Sequence, residues 1–127
     1  MIKIVAPIMP VAWSRPQFDS KSKRVFNSKK LTEYENQIAL FAKAAMRGRP
    51  PLTSEIFLSA KFFRPKPKTR KGQPPQVSFI GDTDRYLNAI MDALEGICYL
   101  NDRQVVIAIS QKIFGEPKVI IELEEIK

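Results

Sequence analysis

The sequence predicts an α+β fold, a mixed sheet of about four strands with two main helices against one face, in the order βαβαββ. Three observations predict it. Apolar residues alternate, or run over both faces, along four segments at 2–9, 54–63, 105–114 and 118–126, as strands require. They recur at three- and four-residue intervals along two others, 32–46 and 84–95, as helices require. No repeat or shift in composition divides the 127 residues, so one domain over 1–127 is expected, large enough for a hydrophobic core.

Charge and composition narrow the function. Lys and Arg number 21 against 13 acids, a net charge of +8, which favours a polyanionic partner over an anionic membrane surface. No apolar run is long enough to span a bilayer, and the N-terminus lacks the charged-then-apolar pattern of a signal peptide, so a cytoplasmic location is expected. The single cysteine, Cys98, cannot form an internal disulfide and reads as a space-filling residue between helix and strand. Histidine is absent. That excludes Ser-His and Cys-His catalysis and His-ligated zinc, leaving carboxylates, metal-bound water and lysine as the available chemistry.

In chain order, Ile2, Ile4, Ala6 and Ile8 share one face of the first strand, and Pro7 marks an edge position or a strand end. Residues 10–30 read as a loop or short irregular hairpin carrying Arg15, Lys21, Lys23, Arg24, Lys29 and Lys30 against the one acid Asp19. Trp13, Phe18 and Phe26 lie among these cations, a mixture suited to phosphates and stacked bases, or equally to a solvated loop pinned by its rings. Thr32 and Glu35 match a capping box opening a helix that runs to about Met46, ended by Arg47-Gly48-Arg49-Pro50-Pro51. Leu31, Tyr34, Ile38, Phe41, Ala42 and Ala45 form its buried side. The strand 54–63 is apolar on both faces and reads as interior. A proline-rich basic loop follows, with Arg64, Lys66, Lys68, Arg70 and Lys71 and no acid before Asp82. Two strands, 105–114 and 118–126, joined by Gly115-Glu116-Pro117, close the chain.

The segment from Gly81 to Gln104 carries the chemistry. Leu87, Ile90, Met91 and Leu94 mark an amphipathic helix over 84–95, ended by Gly96. Asp84, Asn88 and Asp92 form a stripe of i, i+4 neighbours beside its apolar face. Asp82 and Asp84, two apart in extended chain, can point to one side, and Asp102 supplies a third carboxylate ahead of the next strand. Three carboxylates brought together repel unless a cation joins them, which implicates Mg²⁺, with Mn²⁺ as an alternative. The structural alternative is that Asp82 or Asp84 caps the helix and that Asp102 sits in an Asx turn. Asp92 reads first as a structural residue bonding backbone or Arg103; with Asn88 it is otherwise a candidate to support the metal ligands from behind.

The run Gly81-Asp82-Thr83-Asp84, then Asn88, Asp92-Ala93-Leu94-Glu95-Gly96, Tyr99 and Asn101-Asp102-Arg103-Gln104-Val105, resembles the signature of the RusA family of Holliday junction resolvases. Arg15-Pro16-Gln17-Phe18 and Phe26-Asn27-Ser28 are similar to that family's opening. The resemblance implies a Mg²⁺-dependent endodeoxyribonuclease of bacterial, prophage or phage origin. It further implies a homodimer with two active sites, each with an aspartate trio at Asp82, Asp84 and Asp102, that resolves four-way junctions by paired symmetric nicks in DNA recombination and repair. Two positions depart from the family pattern: Asn88 stands where a lysine is expected, and Arg85 where an asparagine is. Arg85, or a lysine of the 66–71 loop, is the nearest substitute cation. Phosphate contacts are expected from Arg15, Lys66, Lys68, Arg70, Lys71 and Arg85, with no small-molecule cofactor and no membrane involved. Asn88 leaves open a second reading, a weakly active or non-catalytic junction-binding protein.

Overall fold

A computed structural model describes residues 1–26, 28–69, 71–74 and 79–126, apart from the side chains of Gln17, Asp19 and Phe26. The chain runs β1 (Ile2–Ala6), β2 (Gln17–Asp19), β3 (Arg24–Phe26), α1 (Lys29–Met46), β4 (Ile56–Arg64), α2 (Thr83–Leu94), a 3₁₀ turn (Asp102–Gln104), β5 (Val105–Phe114) and β6 (Lys118–Glu125). The main sheet has the order β1-β6-β4-β5: β6 is antiparallel to β1 and β4, and β5 is parallel to β4. The expected α+β class, mixed four-stranded sheet and two helices are therefore present. The loop or hairpin expected over 10–30 contains a small antiparallel hairpin, β2–β3, as a second sheet.

The alternation read from the sequence becomes the core. Ile2, Ile4 and Ala6 of β1, Ile56, Leu58, Ala60 and Phe62 of β4, and Val119, Ile121 and Leu123 of β6 are buried on the helix-covered face. Leu31, Tyr34, Ile38, Ala42 and Met46 of α1 pack with them, as do Tyr86, Ala89, Ile90, Ala93 and Leu94 of α2. The buried stripe of α2 is turned slightly from the one read in sequence, since Leu87 and Met91 are only partly covered while Tyr86 is buried. β4 is interior because β5 and β6 flank it. Its second face, with Phe57, Lys61 and Phe63, is only half-buried.

Helix α1 begins four residues earlier than its sequence cap suggests. Ser28, in extended conformation, is the N-cap: its hydroxyl accepts from Leu31 N at 3.1 Å, and the Thr32 hydroxyl donates back to the Ser28 carbonyl. Both positions carry cap-forming side chains, but only Ser28 stands where the chain enters the helix. Ser28→Ala is expected to cost about 1 kcal/mol in urea unfolding, and Thr32→Ala distinctly less.

β5 forms the far edge of the sheet, with no strand on its outer side among the described residues, and Val106, Ile107 and Ile109 are about half exposed. The pairing slips at its start, Ile56 facing Val105 and Phe57 facing Ile107, which leaves Val106 without a partner on β4. Helix α2 runs antiparallel to this edge. The Ser110 hydroxyl reaches the Thr83 carbonyl at 3.5 Å, while the opposite end of α2 lies beside the turn that opens β5.

Candidate active site and nucleic-acid surface

The N-terminal end of α2 is prepared by an aromatic cluster. Phe79, which is buried, meets Tyr86 edge-on at 5.2 Å and lies over Phe114 at 6.2 Å, and Tyr86 also contacts Phe62 at 5.5 Å. The Tyr86 hydroxyl donates to the Ile80 carbonyl at 3.0 Å and accepts from Arg64 Nη1 at 3.2 Å. Gly81 takes φ +101°, and a Cβ there would stand 2.8 Å from the Tyr86 ring, so the turn into the helix requires glycine.

Asp82 occupies the N-cap position, and its carbonyl accepts from the Arg85 and Tyr86 amides. Its side chain makes no cap hydrogen bond. The carboxylate is turned outward, 78% exposed and 3.9 Å from Arg85 Nε. The capping explanation therefore does not account for this side chain. Asp84, also exposed, sits in the first turn, where the helix dipole favours a negative charge.

Asp102 belongs to the other end of α2. The Tyr99 hydroxyl donates to the Met91 carbonyl at 2.7 Å, and the Cys98 amide bonds the Leu94 carbonyl, folding the chain back against the last helical turn. Asn101 caps the 3₁₀ turn by accepting from the Arg103 amide at 2.9 Å. Gln104 accepts from the Leu100 and Asn101 amides and donates to the Leu52 and Ser54 carbonyls. The turn is thereby tied to the strand-entry segment some fifty residues away. Arg103 bonds Asn101 rather than Asp92. Cys98, wholly buried as expected, has its thiol pushed up to about 11 by burial, which makes it unreactive filling.

This folding gathers acids. Carboxylate oxygens of Asp92, Glu95 and Asp102 all lie within 4.8 Å of one another. Burial, and then the charge of Asp102, holds the Asp92 carboxyl above the usual range; burial, and then Asp92, does the same for Glu35 on α1. One oxygen of Asp102, Oδ1, is buried with no hydrogen-bond partner among the described residues. An oxygen-only donor set with an orphaned acceptor and mutually repelling charges fits a hard divalent cation.

The folded protein binds the Asp92 proton more tightly than the unfolded chain does, so this group's contribution to stability falls as pH rises from about 3.8 through its raised value. Asp92→Asn is expected to raise the thermal midpoint in chelator at neutral pH by about 1–3 °C, a small gain because the carboxylate is only partly covered and largely screened by solvent. The gain should vanish near pH 4 and reverse in saturating Mg²⁺, as read by thermal melts.

The three aspartates expected as one site are not together in a single chain. At about 1.5 Å per residue α2 spans about 18 Å, with Asp82 and Asp84 at its start and Asp102 at its end. Among the described residues, Asp102 gathers with Asp92 and Glu95, and Asn88 lies exposed midway. Glu95 was missed by sequence reasoning, although it stands three residues after Asp92 on the same helical side.

Cations border the N-terminal end. The Trp13 amide bonds the Arg85 carbonyl at 2.9 Å, which brings the segment carrying Arg15 against the first turn of α2. Arg15, Lys66, Lys68, Lys71 and Arg85 are exposed, and Arg70 lies outside the described residues. None of the helices is long and apolar enough to cross a membrane, among the described residues.

The chain is 25% identical over 129 residues to the uncharacterised protein YqaN of Bacillus subtilis (strain 168), covering 92% of this chain and 91% of that protein. The family model of the endodeoxyribonuclease RusA matches residues 7–124, a span that takes in the outward-facing Asp82, the basic loop and the acid cluster. On that match over nearly its whole length, the chain belongs to the RusA endodeoxyribonuclease family.

Proposed function

We propose that the protein is a Mg²⁺-dependent, structure-selective endonuclease that acts as a two-fold homodimer and opens four-way DNA junctions by paired nicks. Residues 1–127 serve as one functional domain, working on DNA recombination and repair in the cytoplasm of a bacterium or phage-infected host. The observation that carries this reading is the placement of carboxylates at the two ends of one helix, beside an apolar strand edge and a basic surface.

An unpaired apolar edge is a template for pairing with another strand. Antiparallel pairing of β5 with its symmetry mate, centred near Ala108, would set Ser110 opposite Val106 of the partner subunit. With rises of about 1.5 Å per helical residue and about 3.3 Å per strand residue, Asp92 lies near the level of Val106 when Thr83 lies at Ser110. The start of α2 would then stand at the level of the partner's Asp92. Asp82 and Asp84 of one subunit and Asp102 of the partner subunit would complete one site, twice per dimer. Such a dimer has the two-fold symmetry that paired cuts across a junction require.

Asp82, Asp84 and Asp102 would hold the metal, with Asp92, Glu95 and Asn88 beside them. When bound, Mg²⁺ lowers the pKa of water and neutralises charge on phosphate oxygens. The chain's own part is to draw and orient the DNA. Arg15, Lys66, Lys68, Arg70, Lys71 and Arg85 would grip the backbone, and Arg85, paired with Asp82, can turn from that carboxylate to a phosphate as DNA arrives.

A labelled four-way junction and a linear duplex of the same sequence, each in Mg²⁺ and in chelator, test this reading. Symmetric nicks near the crossover, absent from the duplex and lost in chelator, are expected. The second reading, a junction-binding protein without cleavage, is favoured by Asn88 in place of the family's lysine. Tight binding in chelator with no nicking in Mg²⁺ would establish it instead.

A further inference from the structure

We propose that Lys112 is a positioning residue for the reaction, clamping the chain that delivers Asp82. The inference rests on the nuclease reading above and extends it to a residue on a different element. Lys112 lies on β5 opposite Phe62, so its side chain starts on the helix-covered side of the sheet. Its ammonium donates to the Phe79 carbonyl at 2.9 Å and to the Gly81 carbonyl at 2.5 Å, and stands 5.8 Å from the centre of the Phe79 ring.

With Tyr86 holding the Ile80 carbonyl, three consecutive carbonyls before Asp82 are secured, two of them by one cation. The Arg64 guanidinium adds a second charge over the Phe79 ring at 5.7 Å and props the Tyr86 hydroxyl. The need for such a clamp follows from Asp82 itself. Its side chain makes no cap bond, is exposed, and has one long ion pair to Arg85 at 3.9 Å, which holds its direction only weakly. Its direction is set by the backbone that enters it, and the residue before it is Gly81, the conformationally freest type. A charged donor to two carbonyls resists that freedom better than a neutral one. Lys112 also couples the site to β5, so whatever seats β5 seats Asp82.

The test uses the full chain with Lys112→Met, Lys112→Arg and, as a control for loss of one charge, Lys118→Met, whose ammonium lies over Phe63 instead. Mn²⁺ binding is measured by electron paramagnetic resonance, and junction nicking is split into kcat and KM. Lys112→Met should weaken Mn²⁺ binding and lower kcat between about 10- and 100-fold, the range for residues that hold a metal ligand in place. KM for the junction should stay within about threefold, because Lys112 is committed to carbonyls rather than phosphate. Lys112→Arg should recover most of the loss, and Lys118→Met should behave as wild type. Unchanged Mn²⁺ affinity and kcat in Lys112→Met, or an equal loss in Lys118→Met, would overturn the clamp while leaving the nuclease reading intact. A wild-type protein that neither binds Mn²⁺ nor nicks a junction removes the metal site, and the role of Lys112 with it.

Discussion

Replacing Asp82 with Asn is expected to stop junction nicking, with a loss of at least about 10²-fold, beyond the range seen when an outer partner of a metal ligand is removed. The fold should hardly notice. The carboxylate is exposed, makes no cap bond, and has one long ion pair to Arg85, so the stability change should lie within about 0.5 kcal/mol. Junction affinity measured in chelator should stay level or rise, because the change removes a negative charge from a surface that must approach phosphates. Melting curves, gel shifts and nicking rates on one preparation separate these effects. A variant that still nicks at a tenth of the wild-type rate would remove Asp82 from the site.

The second large effect concerns how the site is completed. Asp82→Asn and Asp102→Asn should each be inactive alone, yet regain nicking when mixed and allowed to exchange subunits. If each site takes Asp82 from one subunit and Asp102 from the other, a mixed dimer has one site carrying both changes and one carrying neither. Random exchange makes half the dimers mixed, each with one intact site of two, so about a quarter of wild-type sites return. The products should be single nicks, since paired cutting needs both sites. A site assembled within one chain gives no recovery, because each site of the mixed dimer then carries one change. Ile107→Lys with Ile109→Lys places charge on the exposed edge and should yield a monomer by ultracentrifugation that binds DNA weakly and does not nick.

Much of the architecture is local, and local patterns can be read from sequence. Ile2, Ile4 and Ala6, and Val119, Ile121 and Leu123, announce strands because a half-covered sheet demands a period of two, and these are the residues that are buried. The heart of α2 is legible for the same reason, with its period of 3.6. The start of α1 was less so: Ser28 and Thr32 are both good caps, and only the backbone's path from the hairpin selects Ser28.

The residues of the site are also present in the sequence, as a conspicuous set of aspartates in a basic chain, and their types suffice to point to a cation and a phosphodiester. Their meeting points are another matter. Spacing along the chain puts Asp82 and Asp84 together and leaves Asp102 free to fold back anywhere. What seats it against Asp92 and Glu95 is the Tyr99 bond to Met91 and the bridge of Gln104 to Leu52 and Ser54. Lys112 reaches Gly81 likewise, only because β5 pairs with β4 and carries it under the entry to α2. Sequence by itself determined the principal strands and helices, the charge and the residue types at hand, since these are read from the residues themselves and from neighbours a few positions away. The tertiary structure alone decided which carboxylates converge and which cation grips the backbone ahead of Asp82, because those contacts join segments up to 52 residues apart and are selected by the packing of the whole chain.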